Sequence, residues 1–151
     1  MYKKILIPTD GSDIAQSAAH AGLAFAKDMN AEVVSIFVIP EYQYPLNIEM
    51  VPTNFPSAED YRASMRKLGE IYMDQLRSKA CDVGVVFSSI IEFSDKIAPT
   101  IVSTAEKQEC DLIFIGSHGR SGWERALLGS VTAKVLSIAT IPVLVFRSTI
   151  E

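Results

Sequence analysis

The chain has 151 residues, of which 48% are hydrophobic and 21% are charged, a composition typical of an ordinary soluble globular protein. This length favours one domain over residues 1–151, large enough to bury roughly 70% of the surface that the unfolded chain would expose. The net charge is −4 and the sequence contains no basic run, which argues against a broad nucleic-acid-binding surface.

The sequence also carries indications of where the protein is found. Its longest apolar runs are far shorter than a membrane-spanning helix. The chain reaches its first predicted strand at Lys4, which leaves no room for a signal peptide, so we expect a cytoplasmic protein without a membrane partner. Cys81 and Cys110 form neither a CxxC pair nor a disulfide framework, and we expect both to be buried free thiols.

The first part of the chain alternates apolar runs with helical periodicity. Residues 3–8 are predicted to form a short strand, and Ser12 or Asp13 can cap the helix that follows it and reaches Met29. A second strand at 32–39 is nearly continuous in its apolar residues, as in a parallel strand covered on both faces. Residues 40–56 contain four prolines, which exclude a regular helix or central strand, and form either a partner-facing loop or a variable surface insertion.

The same alternation continues to the end of the chain. The spacing of apolar residues predicts a helix from 57 to about 80, a strand at 83–91, a helix with Pro99 in its first turn, a strand at 111–115, a helix at 131–139 and a last strand at Val143–Phe146. This order predicts an α/β fold, a doubly wound parallel sheet with helices on both faces. Ligands bind such sheets beyond the carboxyl ends of the strands, where the winding direction reverses.

The connection over residues 116–130, between the fourth strand and the last helix, is punctuated by glycines. Gly116 would let the chain pass close to a flat ring or a sugar, and Gly119 would permit a tight turn. Gly129 would clear space at the start of the helix, where unpaired N–H groups and the helix dipole favour an anion. The pattern is neither the P-loop GxxxxGK[ST] nor the dinucleotide-binding GxGxxG. We therefore interpret the connection as a phosphate-binding loop of another kind.

Several side chains near this loop have alternative roles. Asp10 could accept hydrogen bonds from ribose hydroxyls, hold a divalent cation beside phosphates, or cap the first helix. The hydroxyls of Ser130 and Thr132 could donate to a phosphate. His118 has no partner set for acid–base catalysis and fits a solvent-facing loop position. Arg120 could contact phosphate or remain solvated.

The sequence resembles the universal stress proteins, specifically their ATP-binding branch. That branch has the motif G-x2-G-x9-G-[ST] after its fourth strand, which is matched here by Gly116, Gly119, Gly129 and Ser130. The opening block at residues 5–12 and the closing residues from Gly129 onward also match the family. The resemblance covers essentially the whole chain and is weakest across residues 40–60.

The resemblance implies a five-stranded sheet of order 3-2-1-4-5, which makes strands 1 and 4 neighbours. It implies ATP, ADP or AMP as ligand, with or without Mg²⁺ or Mn²⁺ at Asp10, and a homodimer joined through the edge strand Val143–Phe146. The nucleotide contacts carried onto this chain are Pro8, Thr9, Asp10, Val38, Gly116, Ser117, His118, Gly119, Arg120, Gly129, Ser130, Val131 and Thr132.

The function predicted from these residues is that of a nucleotide-dependent regulatory or stress-response module with an unidentified protein partner. A slow ATPase or nucleotidyl-transfer enzyme is the alternative, although the sequence shows no clear general base, arginine finger or catalytic lysine. A flavodoxin-like electron carrier that binds FMN is a third hypothesis. Such a carrier would need its phosphate loop after the first strand, whereas the glycines follow the fourth.

Overall fold

The structure, a computed structural model, describes residues 1–44, 54–118 and 128–147. Five strands and four helices alternate along these residues. They are β1 (Lys4–Pro8), α1 (Asp13–Met29), β2 (Glu32–Ile39), α2 (Ala58–Val83), β3 (Phe87–Phe93), α3 (Ile97–Lys107), β4 (Leu112–Gly116), α4 (Ser130–Ile138) and β5 (Val143–Phe146).

The five strands form a parallel sheet in the order β3-β2-β1-β4-β5. Both the predicted fold class and the predicted strand order are confirmed. The chain winds outward from β1 in one direction through β2 and β3, and in the other through β4 and β5. The direction therefore reverses between β1 and β4, where a crevice opens at the carboxyl ends of the two strands.

The helices cover both faces of the sheet because successive strand residues point to opposite sides. On β1, Ile5 and Ile7 pack with residues of α1 and α2, whereas Leu6 packs with residues of α3 and α4. The side chains of Ile5 and Leu6 are completely buried. Burial on both faces explains why the central strands read as continuous apolar runs.

The boundary between α2 and β3 differs from its prediction. The helix continues to Val83 and ends on Gly84, whose φ of 77° is left-handed. The N–H of Val85 then donates to the carbonyl of Ala80 over 2.9 Å, which closes the helix end. As a result β3 begins at Phe87, four residues later than the predicted start at 83, because the apolar residues before it complete a helix cap.

The two cysteines lie in different environments. Cys110 is buried, as predicted, whereas Cys81 is exposed near the end of α2, so the prediction for Cys81 was wrong. Burial is the largest cause of a rise in the pKa of the Cys110 thiol to about 11. The charge of nearby Lys4 lowers this pKa, and that of Asp111 raises it. Within the described ranges, no helix is long and apolar enough to cross a membrane.

Candidate functional site

A cavity of about 380 Å³ opens at the carboxyl ends of β1, β2 and β4. Its volume falls within the range of roughly 300–1,000 Å³ that is usual for small-molecule sites. It lies at the reversal point of the sheet, where the fold predicts a ligand. Its walls are formed by Pro8, Thr9, Asp10, Ala15, Ile36, Phe37, Val38, Pro40, Met65, Ile97, Ile101, Ile115, Gly116, His118, Gly129, Ser130, Val131 and Thr132.

Most of the residues predicted from the sequence meet in this cavity. Those lining it are Pro8, Thr9, Asp10, Val38, Gly116, His118, Gly129, Ser130, Val131 and Thr132. Ser117 is buried outside the lining, with 4% of its surface exposed. Gly119 and Arg120 lie outside the described residues.

The turn after β1 fixes the carboxylate of Asp10. The N–H and the hydroxyl of Ser12 both donate to Oδ1 of Asp10, over 3.0 and 2.6 Å. The same hydroxyl oxygen accepts from the N–H of Ala15, which makes Ser12 the N-cap of α1. Asp10 therefore does not cap the helix. Instead, Ser12 restrains the carboxylate of Asp10 beside the cavity.

Thr9 holds the backbone of this turn in place. Its N–H donates to the carbonyl of Ile36 in the neighbouring strand β2, over 2.9 Å. Its Oγ1 accepts from the N–H of Gly11 over 3.2 Å, and the residue is only 7% exposed. The cavity wall at β1 is therefore a buried, hydrogen-bonded turn.

The start of α4 presents main-chain donors to the cavity. Gly129 is the N-cap, and it has no side chain to bond the first turn of the helix. The first N–H groups of a helix have no partner within the helix, so those of Ser130, Val131 and Thr132 are the donors at this end. Together with the helix dipole they form a site suited to an anion.

Two side chains at this end are already engaged. The hydroxyl of Thr132, 3% exposed, donates to the carbonyl of Gly116 over 2.8 Å. Its proton is therefore committed to holding α4 against β4 rather than directed at a ligand. Nδ1 of His118 lies 3.1 Å from the hydroxyl oxygen of Ser117. Ser130 is the first residue of α4 and not its cap.

Gly116 also lies close to a neighbouring helix. A Cβ built on Gly116 would lie 3.2 Å from the Cβ of Ala18 on α1 and 3.4 Å from the carbonyl oxygen of His118. The added atom would therefore press on α1, and its distance from a bound ring or sugar stays a prediction. Gly116 permits close packing of β4 against α1 and contributes only its backbone to the cavity wall.

Part of the cavity wall is apolar. Val38 and Pro40 approach from the end of β2, Met65 from α2, and Ile97 and Ile101 from α3. In the sequence the last three are only apolar residues within stretches of helical spacing. Their side chains reach the cavity because α2 and α3 pack on opposite faces of the sheet, which a helical period does not reveal.

The site contains one carboxylate, that of Asp10, among its described lining residues. No group of three metal-ligating side chains occurs within residues 1–44, 54–118 and 128–147. A cation held here would therefore share a single carboxylate with ligand oxygens, an arrangement that Mg²⁺ accepts when phosphates and water complete its shell. Cation binding at Asp10 stays a prediction.

The chain has curated relatives of similar length. It is 33% identical to universal stress protein MJ0531 of Methanocaldococcus jannaschii, an alignment covering 97% of this chain and 83% of the relative. It is 32% identical to universal stress protein YxiE of Bacillus subtilis, over 97% and 100% of the two chains.

Solved structures share its fold. The structure of MJ0577 of M. jannaschii superposes with a TM-score of 0.81 at 31% identity, covering 100% of this chain and 99% of that one. Universal stress protein UspA from Lactobacillus plantarum gives a TM-score of 0.82 at 25% identity, covering 97% and 98%.

More distant structures with the same fold contain adenine nucleotides. One is a universal stress protein in complex with cAMP (TM-score 0.71, 19% identity, 98% and 99% covered). Another, from Archaeoglobus fulgidus, is in complex with dAMP (0.65, 18%, 95% and 97%). A third, from Arabidopsis thaliana, has AMP bound (0.64, 16%, 97% and 92%). At these identities the likeness shows the fold.

The model of the universal stress protein family matches residues 1–147, nearly the full length of the chain. The sheet order and the relatives above agree with that match. The chain belongs to the universal stress protein family.

Proposed function

We propose that the cavity binds an adenine nucleotide, with ATP as its principal ligand, and that the protein is a nucleotide-dependent regulatory or stress-response module. The observation that carries the proposal is that one cavity combines main-chain donors with an apolar wall. The start of α4, whose N-cap Gly129 has no side chain, suits phosphates, and the apolar wall suits a base. Asp10 lies on the wall of the same cavity.

The chemistry of the lining residues suggests how the ligand lies. Phosphates fit the N–H groups of Ser130, Val131 and Thr132, because these are the free donors of the first helical turn. The ribose fits beside Asp10, whose carboxylate accepts from hydroxyl groups. The adenine fits between the main chain of Val38 and the apolar side chains from α2 and α3.

The nucleotides in the distant relatives support an adenine nucleotide as ligand but differ from ATP in their phosphates. The cAMP, dAMP and AMP of those proteins all carry an adenine ring and a single phosphate. ATP is proposed here because the glycine motif at residues 116–130 resembles that of the ATP-binding branch. A divalent cation bound by Asp10 and the phosphates is part of the same proposal.

The protein is proposed to hold the nucleotide rather than to cleave it. Among the described residues that line the cavity there is no lysine and no arginine to stabilise a transferring phosphoryl group. One ring nitrogen of His118, Nδ1, is within hydrogen-bond distance of Ser117. Slow hydrolysis or nucleotidyl transfer is the alternative function, and it is open to direct measurement.

A homodimer joined through β5 is the second part of the proposal. The carbonyls of Pro142 and Phe146 accept hydrogen bonds from the β4 side. Successive residues of a strand direct their N–H and C=O groups to opposite edges, so those of Val143 and Val145 point outward. The four residues of β5 are apolar and half-buried. An edge strand of this kind favours pairing with a second copy.

Nucleotide binding is tested by substituting Gly129. Its φ of −68° and ψ of 156° are accessible to any residue, so Gly129→Val adds a branched side chain at the phosphate end without left-handed strain. We expect this variant to lose ATP binding in isothermal titration calorimetry while it remains folded. Mass spectrometry of nucleotide retained through purification would identify the ligand bound in the cell.

Ala139→Val is the matched control. Ala139 ends the same helix with nearly the same dihedral angles, φ of −66° and ψ of 137°, but it lies outside the cavity. This variant should bind ATP like the unmodified protein. Unchanged ATP affinity in Gly129→Val, or equal losses in the two variants, would contradict the placement of the phosphates.

A further inference from the structure

Two peptide groups at the end of β4 connect the start of α4 with the end of β5. The N–H of Ser117 donates to the carbonyl of Phe146, the last residue of β5, over 2.7 Å. The carbonyl of Ser117 accepts from the N–H of Gly129, also over 2.7 Å. Next to it, the carbonyl of Gly116 accepts from the hydroxyl of Thr132 over 2.8 Å. One short stretch of backbone thus holds both the phosphate end of the cavity and the edge strand.

These bonds are shielded from water. Ser117 and Thr132 are 4% and 3% exposed, so breaking their bonds would leave buried polar groups without partners. Such a loss costs about 1–3 kcal/mol for each group. When the end of β5 moves, Ser117 and Gly129 therefore move with it more readily than the hydrogen bonds between them break.

The far end of α4 is also tied to β5. Residues 139–142 connect the helix to the strand, and the carbonyl of Pro142 accepts from the N–H of Ile113 on β4 over 3.0 Å. Val135, in the middle of the helix, is completely buried against the same face of the sheet as Val143 and Val145. With both ends and the middle fixed, α4 behaves as a rigid link between the cavity and the edge strand.

We propose that nucleotide binding and pairing through β5 are coupled, so that each strengthens the other through Ser117, Gly129 and α4. This inference rests on the proposed function, because it needs both the nucleotide and the dimer. Pairing gives partners to the outward groups of Val143 and Val145 and reduces fraying of the strand. The same ordering fixes the carbonyl of Phe146, and hence the start of α4, before the nucleotide arrives.

The coupling is measured by the dimer dissociation constant of the full chain, from sedimentation velocity with and without saturating ATP and Mg²⁺. We expect ATP to lower this constant by about fivefold or more, the lower end of usual coupling strengths. The dimer has two ATP sites, and the coupling between binding and pairing is reciprocal. The factor by which ATP lowers the dimer dissociation constant must therefore equal the square of the ratio between the ATP affinities of dimer and monomer.

Val145→Pro provides the monomer for that comparison. It removes an outward N–H of β5 and leaves the bonds from β4 to Pro142 and Phe146 in place. We expect the variant to be monomeric and to bind ATP more weakly than the dimer, by the ratio that reciprocity gives. Equal ATP affinity in this monomer and in the unmodified dimer would overturn the proposal.

Thr132→Val tests the route of the coupling, because it deletes the hydroxyl bonded to Gly116 and keeps the branched shape. We expect the effect of ATP on the dimer constant to shrink towards one-fold. Ser137→Ala is the control, since its hydroxyl bonds only to Lys134 of the same helix on an exposed face, and its coupling should be unchanged. If Thr132→Val fails to fold, the Val145→Pro comparison still decides the question.

The possible failures are distinguishable. Absence of ATP binding at every protein concentration would overturn the proposed function and the coupling with it. ATP binding by a protein that stays monomeric would overturn the dimer and the coupling but leave the nucleotide site. A dimer that binds ATP with a dimer constant unaffected by ATP would overturn the coupling alone.

Discussion

Gly11 and Gly84 allow backbone strain and side-chain overlap to be measured separately. Their φ values are nearly identical, 76° and 77°, but their surroundings are not. A Cβ added at Gly84 would meet nothing within 4 Å, whereas one added at Gly11 would lie 2.0 Å from a ring carbon of Tyr72. Gly84→Ala therefore reports strain alone, and Gly11→Ala reports strain together with displacement of Tyr72.

The expected loss in free energy of unfolding differs between the two variants. Left-handed backbone costs a residue with a Cβ roughly 1–2 kcal/mol, which is the expected destabilisation of Gly84→Ala. Overpacking adds about 1–3 kcal/mol, so Gly11→Ala should lose about 2–5 kcal/mol in total. Tyr72 cannot withdraw freely because its ring packs edge-on against Phe37, with centroids 5.8 Å apart.

The measurement is urea unfolding of both variants followed by circular dichroism, with melting temperatures as a second readout. For a chain of this size, each kcal/mol corresponds to about 2–4 °C, so Gly84→Ala should melt about 2–8 °C lower and Gly11→Ala about 4–20 °C lower. In a Tyr72→Ala background the cost of Gly11→Ala should fall to that of Gly84→Ala. Equal losses in the two single variants would refute the reasoning.

Further predictions concern the site and the cysteines. Asp10→Ala should weaken ATP binding by about tenfold to a hundredfold, the worth of a hydrogen bond to a charged group, with Asp13→Ala, in the exposed first turn of the same helix, as a control that leaves affinity unchanged. The raised pKa of Cys110 favours the neutral thiol in the folded state, so folding stability should fall between about pH 9 and pH 11, and fall less in Cys110→Ala. In the native protein a thiol reagent should label Cys81 and spare Cys110. Purified protein should hydrolyse ATP negligibly, and steady turnover that disappears in Gly129→Val would overturn the non-enzymatic proposal.

The order of strands and helices was predictable because each element has a clear apolar period. The end of α2 was not, since Val83, Val85 and Val86 suggest the start of a strand. Only the left-handed Gly84 reveals that the first of them still belongs to the helix. Local hydrophobicity cannot separate these alternatives, because a helix cap and a strand start both bury apolar side chains.

The candidate site likewise contains residues that were predictable from the sequence and residues that were not. The positions near the glycines were predictable because turns and helix starts have local sequence signals. Met65, Ile97 and Ile101 were not, because they reach the cavity only through packing between elements distant in the chain. The role of Thr132 was also hidden, since its sequence position does not show that its hydroxyl would bond to Gly116.

The donors at the start of α4 belong to the main chain, and this affects how the site can change over generations. A substitution at Ser130 or Val131 replaces a side chain but leaves the N–H group in place. Substitutions at these two positions can therefore change the side chains at the start of α4 while its main-chain N–H donors are kept. For the same reason, a conventional alanine scan would score Ser130 and Val131 as dispensable. Proline at these two positions, which deletes the N–H itself, is the substitution that would expose the dependence.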